Sequence, residues 1–215
     1  MTSKKNKPLF ISFEGSEGSG KTTQIALLQD RFEKMGREVL VTREPGGTEI
    51  GEEIRHLLKY CPPEGSKMFP ETELLLFAAS RAQLVRERIF PSLEAGKVVL
   101  CDRYLDSTTV YQGVARKISS DPVAMINRFA VGNVMPDLTI ILDIPAELGF
   151  KRIETRSSDL PDRMEQESID FYRAVRDGYL LLARSLPSRF LVVDGTQSKE
   201  TVAQFIWDEI GRRKL

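Results

Sequence analysis

The stretch "FEGSEGSGKTTQ" (13–24) constrains this chain more than any other. Gly15-Ser16-Glu17-Gly18-Ser19-Gly20-Lys21-Thr22 has the spacing G-x-x-x-x-G-K-[ST], directly after the strand-like run "LFISF" (9–13) and directly before a helix-like run. Glycines at such a turn let backbone N–H groups converge on phosphate oxygens, and the following helix N-terminus adds its positive dipole end. Lys21 then reaches the β- and γ-phosphates, and the Thr22 hydroxyl ligates Mg²⁺. The strand–loop–helix context separates this loop from a chance Gly/Ser-rich turn.

The remaining chain alternates short β-rich runs with long amphipathic ones. The β-rich runs are "LFISF", "REVLVT" (37–42), "KVVLCD" (97–102), "DLTIILDI" (137–144) and "RFLVVDG" (189–195). Helix-like segments lie near 21–35, 48–59, 71–95, 121–131, 146–155, 165–185 and 198–212. Gly36 and Gly96 sit where helix ends favour a left-handed residue, and Asp121-Pro122 and Ser198 before Glu200 read as helix starts. The strands are continuously apolar, so both sheet faces are covered and an α/β fold with a parallel sheet wrapped by helices is expected. Two stretches break the pattern. "KYCPPEGSKMFP" (59–70) is a loop between helices, and the charged "TRSSDLPDRM" (155–164) reads as a mobile lid.

With 215 residues the chain suffices for one core, so residues 1–215 are read as a single domain. Lysine plus arginine equals aspartate plus glutamate at 31 each, which provides no global field toward a nucleic-acid polymer or a membrane. No apolar run approaches the ~18 residues of a membrane span. "MTSKKNKPLFISFEG" carries no signal-peptide core, and Cys61 and Cys101 are too isolated for a disulfide framework, so a reducing cytoplasm is expected.

Several nucleotide-binding classes are excluded. An N-K-x-D guanine reader is absent, as is the second signature of composite ABC-type sites. Small-molecule kinases lead among the remaining short chains with such a loop. They need a cationic acceptor site, because two anions must approach one another. "VVLCDRYLDSTTVYQG" (98–113) places Asp102 and Arg103 at a strand end, where parallel sheets present binding groups. The pair is either an ordinary surface ion pair or a water-mediated Mg²⁺ holder beside a phosphate clamp. Arg43 follows the second strand and Arg55 lies on the next helix. Phe77 and Arg81, four residues apart, share a helix face. Residue type alone would make Phe77 core and Arg81 a solvated charge; a ring beside a guanidinium also suits a base.

Together, "FEGSEGSGKTT", "TREPGGTEIGEEIR", "LLLFAASRAQL", "DRYLDSTTVYQG", "PDLTIILDI" and "DRMEQES" resemble the bacterial thymidylate kinases, from the first strand to the last helix. That resemblance implies a nucleoside monophosphate kinase fold with a five-stranded parallel sheet, a short mobile lid and a homodimer. The implied reaction is ATP·Mg²⁺ plus dTMP giving dTDP plus ADP. Gly15, Ser16, Glu17, Gly18, Ser19, Gly20, Lys21, Thr22 and Thr23 would line the ATP site, Arg152 would stack on adenine, and "DGTQ" (194–197) would border it. Phe77 would stack on thymine, Arg81 would bond its O4, and Thr108 and Gln112 would line its edge. Arg103 and Arg55 would hold the dTMP phosphate, Glu17 the sugar 3′-OH, and Tyr111 would crowd the 2′ position. Glu44-Pro45 would be a cis peptide bordering the substrate, and Thr22, Asp102 and Glu44 would organise the metal and its water.

Some relatives carry an arginine within the phosphate loop; here that position is Gly18. The missing charge would come from the lid, through Arg156 or Arg163, so Lys21, Arg103, Asp102 and one of these arginines form the implied catalytic set. The acceptor is already an anionic oxygen and needs no strong base. The single histidine, His56, is therefore read as a surface or packing residue.

Overall fold

Strand β1 (Leu9–Glu14) is buried along its whole length and forms the axis of the molecule. The structure, a computed structural model, describes residues 7–60, 67–155 and 163–215. Among them β1, β2 (Val39–Arg43), β3 (Val98–Asp102), β4 (Leu138–Asp143) and β5 (Phe190–Asp194) form one sheet of order β2-β3-β1-β4-β5. Each observed pairing is parallel. The helices are α1 (Lys21–Lys34), α2 (Glu49–Tyr60), α3 (Pro70–Leu84), α4 (Phe90–Glu94), α5 (Leu105–Thr108), α6 (Ser120–Val131), α7 (Ala146–Glu154), α8 (Ile169–Ser185) and α9 (Lys199–Arg212).

Alternation along β1 sorts the core. Leu9, Ile11 and Phe13 meet Ile25, Leu28 and Phe32 of α1 and Val202, Ile206 and Ile210 of α9. Phe10 points to the other face, toward Leu84, Tyr104 and Val131. Burying both faces explains why the strands are continuously apolar. The edge strand β2 is the half-exposed exception.

Because β3 and β4 flank β1, the chain leaves opposite sides of the sheet at β1, and the crevice opens at the strands' C-terminal ends. Ladder bonds continue past those ends: Arg103 N–H donates to Phe13 O at 2.9 Å, and Glu44 N–H to Asp102 O at 2.9 Å. The loops after β2 and β3 thereby start in register with the neighbouring strands.

Two helical stretches depart from expectation. Residues 70–94 are continuously helical but include a π-helical turn, Val85–Ile89, just ahead of Pro91. Proline lacks an N–H and crowds the carbonyl four residues earlier, which a π-turn relieves. The second, α5 followed by π-helical Thr109–Ala115, gave no helical signal because Thr108, Thr109, Val110 and Gly113 are poor helix formers; packing against α8 overrides propensity. Helix α8 begins at Ile169, not near 165, where the Ser168 side chain accepts from Phe171 N–H.

Candidate active site

At the end of β1 the chain turns through Gly15, at φ 127°, where an added Cβ would lie 2.6 Å from Leu142 O. Only glycine fits. The turn delivers Lys21 to the first position of α1, where its buried ammonium donates to Ser16 O at 3.0 Å. Burial, and then the nearby Arg103 charge, lower the Lys21 pKa, so the ammonium is poised for an added anion. Beside it, Thr22 Oγ1 donates to Asp102 Oδ2 at 3.2 Å.

Arg103 adopts φ 70°, a left-handed conformation unusual for a side-chain-bearing residue. Its backbone is held by the bond to Phe13 O and by the Cys101 thiol, which donates to Arg103 O at 2.9 Å. This turn aims the guanidinium across the phosphate loop. It donates to Glu17 Oε1 at 2.7 Å, Gly15 O at 3.0 Å and Ser107 Oγ at 3.2 Å, over the Tyr111 ring. Burial opposes both charges, but Arg103 and then Lys21 hold the Glu17 carboxyl below its ordinary range, and Glu17 leads the groups keeping Arg103 protonated.

A third layer lies toward α3. Arg81 is not a solvated charge: it is 1% exposed. Its Nε donates to Glu44 Oε2 at 2.7 Å, Nη1 to Asn127 Oδ1 at 2.9 Å and Nη2 to Thr108 Oγ1 at 2.9 Å. Residue-type statistics mislead here because α3 has two covered faces, and Glu44 and Asn127 compensate the charge where water would otherwise do so. Burial pushes the Glu44 carboxyl up, to about 7, against the pull of Arg81. Glu44 Oε1 is buried and has no partner among the described residues. The Glu44-Pro45 bond is cis, and Arg55 donates to Pro45 O at 2.8 Å.

These layers line one cavity. Glu17, Lys21, Thr22 and Thr23 lie at one end, Phe77, Thr108, Tyr111 and Gln112 at the other, and Asp102, Arg103, Glu44, Pro45 and Arg55 between them. A sequence model described as thymidylate kinase matches residues 13–206. The chain belongs to the thymidylate kinase family. It is 48% identical to the thymidylate kinase of Kosmotoga olearia over 201 residues, covering 94% of each chain. Against that of Thermoanaerobacter pseudethanolicus it is 46% identical, covering 95% of this chain and 98% of the other. The crystal structure of thymidylate kinase from Ehrlichia chaffeensis superposes with a TM-score of 0.76 at 32% identity, covering 94% of this chain and 98% of that one.

Within this thymidylate kinase fold, not every expected residue reaches the cavity wall. Arg81 lies behind Thr108 and Glu44. Gly15 and Ser16 contribute their carbonyls to Lys21 rather than to the wall. Gly18 does line the wall and also packs on α7, where an added Cβ would be 2.9 Å from Gly149 O; Arg152 stays behind it and donates to Gly18 O at 2.9 Å. Arg163 donates to the Glu73 carboxylate and to Leu58 O. Arg156 and most of the expected lid, 156–162, lie outside the described residues, as does Cys61. His56 is exposed and packs beside Tyr60.

Sequence reasoning missed several residues. Glu14 is fully buried and accepts from Tyr104 N–H at 2.8 Å, Ser107 Oγ at 2.6 Å and Tyr179 OH at 2.7 Å. An acid closing an otherwise apolar strand was the available signal. Gly149 lets α7 touch the phosphate loop: a Cβ there would be 2.7 Å from Glu17 O. Glu73, one turn before Phe77, receives Gln112 and two arginines. No spacing rule connects partners so far apart in sequence.

Proposed function

We propose that this chain transfers the γ-phosphoryl of ATP to dTMP, giving dTDP and ADP, as a single domain spanning residues 1–215. The observation that carries this reading is the shared cavity, with a phosphate loop at one end, an aromatic, hydroxyl and amide wall at the other, and Arg103 between. A protein that only bound ATP would have no use for the second end.

The loop from Gly15 to Thr23 cradles the ATP phosphates, and Arg152 borders adenine from its anchor on Gly18 O. Phe77 stacks on thymine, Thr108 and Gln112 meet its edge, and Arg81 supports that edge through the Thr108 hydroxyl. Tyr111 crowds the sugar 2′ position and Glu17 receives the 3′-OH. Arg103 and Arg55 hold the acceptor phosphate, whose anionic oxygen attacks the γ-phosphorus while the bond to the β–γ bridging oxygen breaks. Lys21 offsets charge on the transferring group, and lid closure excludes water that would otherwise compete. Arg163 is engaged by Glu73, which favours Arg156 as the lid arginine at the phosphoryl.

The residues present suit Mg²⁺. Thr22 Oγ1 and Asp102 Oδ2 are hard oxygens side by side, and the partnerless Glu44 Oε1 is on the adjoining loop. Among the described residues no group of three or more His, Cys, Asp or Glu forms a ready cage, in keeping with an ion held largely by substrate phosphates and water. Mg²⁺ bound there would neutralise charge on the donor phosphates.

Exposed Met125 and Phe129 on α6 and Leu75 on α3, two helices that pack together, support a homodimer formed through this face. Among the described residues no helix is long and apolar enough to cross a membrane, which accords with a cytoplasmic site of action. Measuring ADP release with ATP·Mg²⁺ against dTMP, dUMP, dCMP and AMP tests the assignment. Release should depend on acceptor and be fastest with dTMP; acceptor-independent release would leave only an ATPase. Light scattering reports the dimer, which Phe129→Glu should dissociate.

A further inference from the structure

The Glu73 carboxylate is 1% exposed, yet it accepts hydrogen bonds from three side chains on two other segments. Gln112 Nε2 donates to Oε1 at 2.6 Å, Arg116 Nε to Oε1 and Nη2 to Oε2 at 3.3 Å each, and Arg163 Nη1 donates to Oε2. Burial works to raise the Glu73 pKa, but Arg163, the Gln112 amide and Arg116 outweigh it and keep the group ionised. An ionised carboxylate only accepts hydrogen bonds. The Gln112 amide must therefore turn its NH₂ toward Glu73, which directs its carbonyl oxygen away from the carboxylate, on a side chain that lines the cavity.

Arg163 carries the same carboxylate's influence to the cavity wall. Its backbone N–H donates to Lys59 O at 3.1 Å and its Nε to Leu58 O at 3.0 Å, so it also caps the C-terminal turn of α2. The next residues, Met164 and Glu165, line the cavity.

We propose that Glu73 is a positioning residue for acceptor-base selection: it fixes the Gln112 amide with its carbonyl oxygen presented to the base and, through Arg163, holds the Met164–Glu165 wall beside it. The proposal rests on the acceptor reading above. A pyrimidine with a ring N–H, such as thymine or uracil, offers the presented oxygen a donor. Cytosine has a bare ring nitrogen at that position. Without an ionised partner the amide can flip, and its NH₂ then suits cytosine as well. Glu73 touches no substrate, so its effect must pass through Gln112.

Glu73→Gln keeps the shape of the side chain and removes its charge. In the full-length protein it should raise KM for dTMP about tenfold and narrow the dTMP-over-dCMP ratio of kcat/KM about tenfold, while KM for ATP stays within twofold. In a Gln112→Ala background the same substitution should leave that ratio unchanged, since the group it acts through is gone. An unchanged ratio in the single variant, or an equal loss in both backgrounds, overturns the proposal. If Glu73→Gln does not fold, ¹⁵N spectra of the wild type decide: the Gln112 side-chain amide should exchange slowly with solvent, and rapid exchange overturns it. Wild-type protein with no dTMP-dependent turnover sinks the functional reading itself. Normal wild-type turnover with undiminished selectivity in Glu73→Gln sinks this inference alone.

Discussion

At the proposed phosphate end of the cavity, the lining residues Glu17 to Thr23 are consecutive along one loop and the start of α1. At the base end, side chains converge from the β2–α2 loop, α3, the π-helical turn and α6, and charge is held by charge: Arg81 by Glu44, and Arg116 and Arg163 by Glu73. The first construction is local, so loss of a side chain there should leave the fold intact. The second spreads binding groups through the core, so chemistry and stability there depend on the same atoms.

Loss of Lys21 should separate the two most sharply. Lys21→Ala removes an ammonium whose partners are loop oxygens of Gly15, Ser16 and Ser19. Turnover should fall about a hundred- to a thousand-fold, the effect of removing one preorganised charge stabiliser, with circular dichroism and melting temperature close to wild type. Near-normal kcat would break the assignment of the loop.

The mirror-image result is expected at the base end. Arg81→Met leaves Glu44 buried without its cation and should cost about 3–5 kcal/mol in stability, read by urea unfolding. Arg81→Met with Glu44→Gln should recover part of that loss, because no uncompensated charge remains. If the single variant were as stable as wild type, the contrast between the two ends would collapse.

The seam between the loop and α7 offers an intermediate test. Gly149→Ala places a methyl group against Glu17 O, a backbone atom that cannot swing aside. The expected cost is about 1–3 kcal/mol from overpacking. KM for ATP should rise, and KM for dTMP should rise less, because Glu17 also carries the proposed 3′-OH contact and pairs with Arg103; a shift in dTMP binding alone would place the seam's influence at the wrong end.

The same difference explains what the sequence disclosed. The loop from Gly15 to Thr22 was legible because its residues are contiguous and its strand and helix neighbours have clear periodicities. The five parallel strands followed from apolar runs buried on both faces. Phe77 and Arg81 were visible as a pair on one helix face, but the burial of Arg81 depends on Glu44 and Asn127, which are 37 and 46 positions away. The helix from Leu105 to Ala115 was hidden by β-branched residues and a glycine whose propensity is overridden by packing. Glu14 and Glu73 were unreadable as hubs because a carboxylate's partners are set by topology rather than spacing.

The last test concerns Glu14, which lies beneath the middle of the cavity, its partners Ser107 and Tyr179 both bonded to Arg103. Burial, with Asp106 adding to it, pushes its carboxyl up from an ordinary 4.5 to about 7, against Arg103 and the bonds from Ser107 and Tyr179. Between those values the folded chain retains a proton that the unfolded chain has released. Stability from this group is therefore fullest below about pH 4.5, declines as pH rises toward 7, and is level above. Glu14→Gln cannot ionise and lacks that decline. Melting temperatures from pH 5 to 8 should show wild type losing ground steadily to the variant until pH 7, then a constant offset. A constant offset across the whole range would mean that Glu14 ionises as readily folded as unfolded, and that the bonds from Ser107, Tyr179 and Tyr104 fully compensate its burial. The layer beneath the cavity would then resemble the charge-compensated base end, where Glu73 stays ionised, rather than a carboxyl kept partly neutral beneath Arg103.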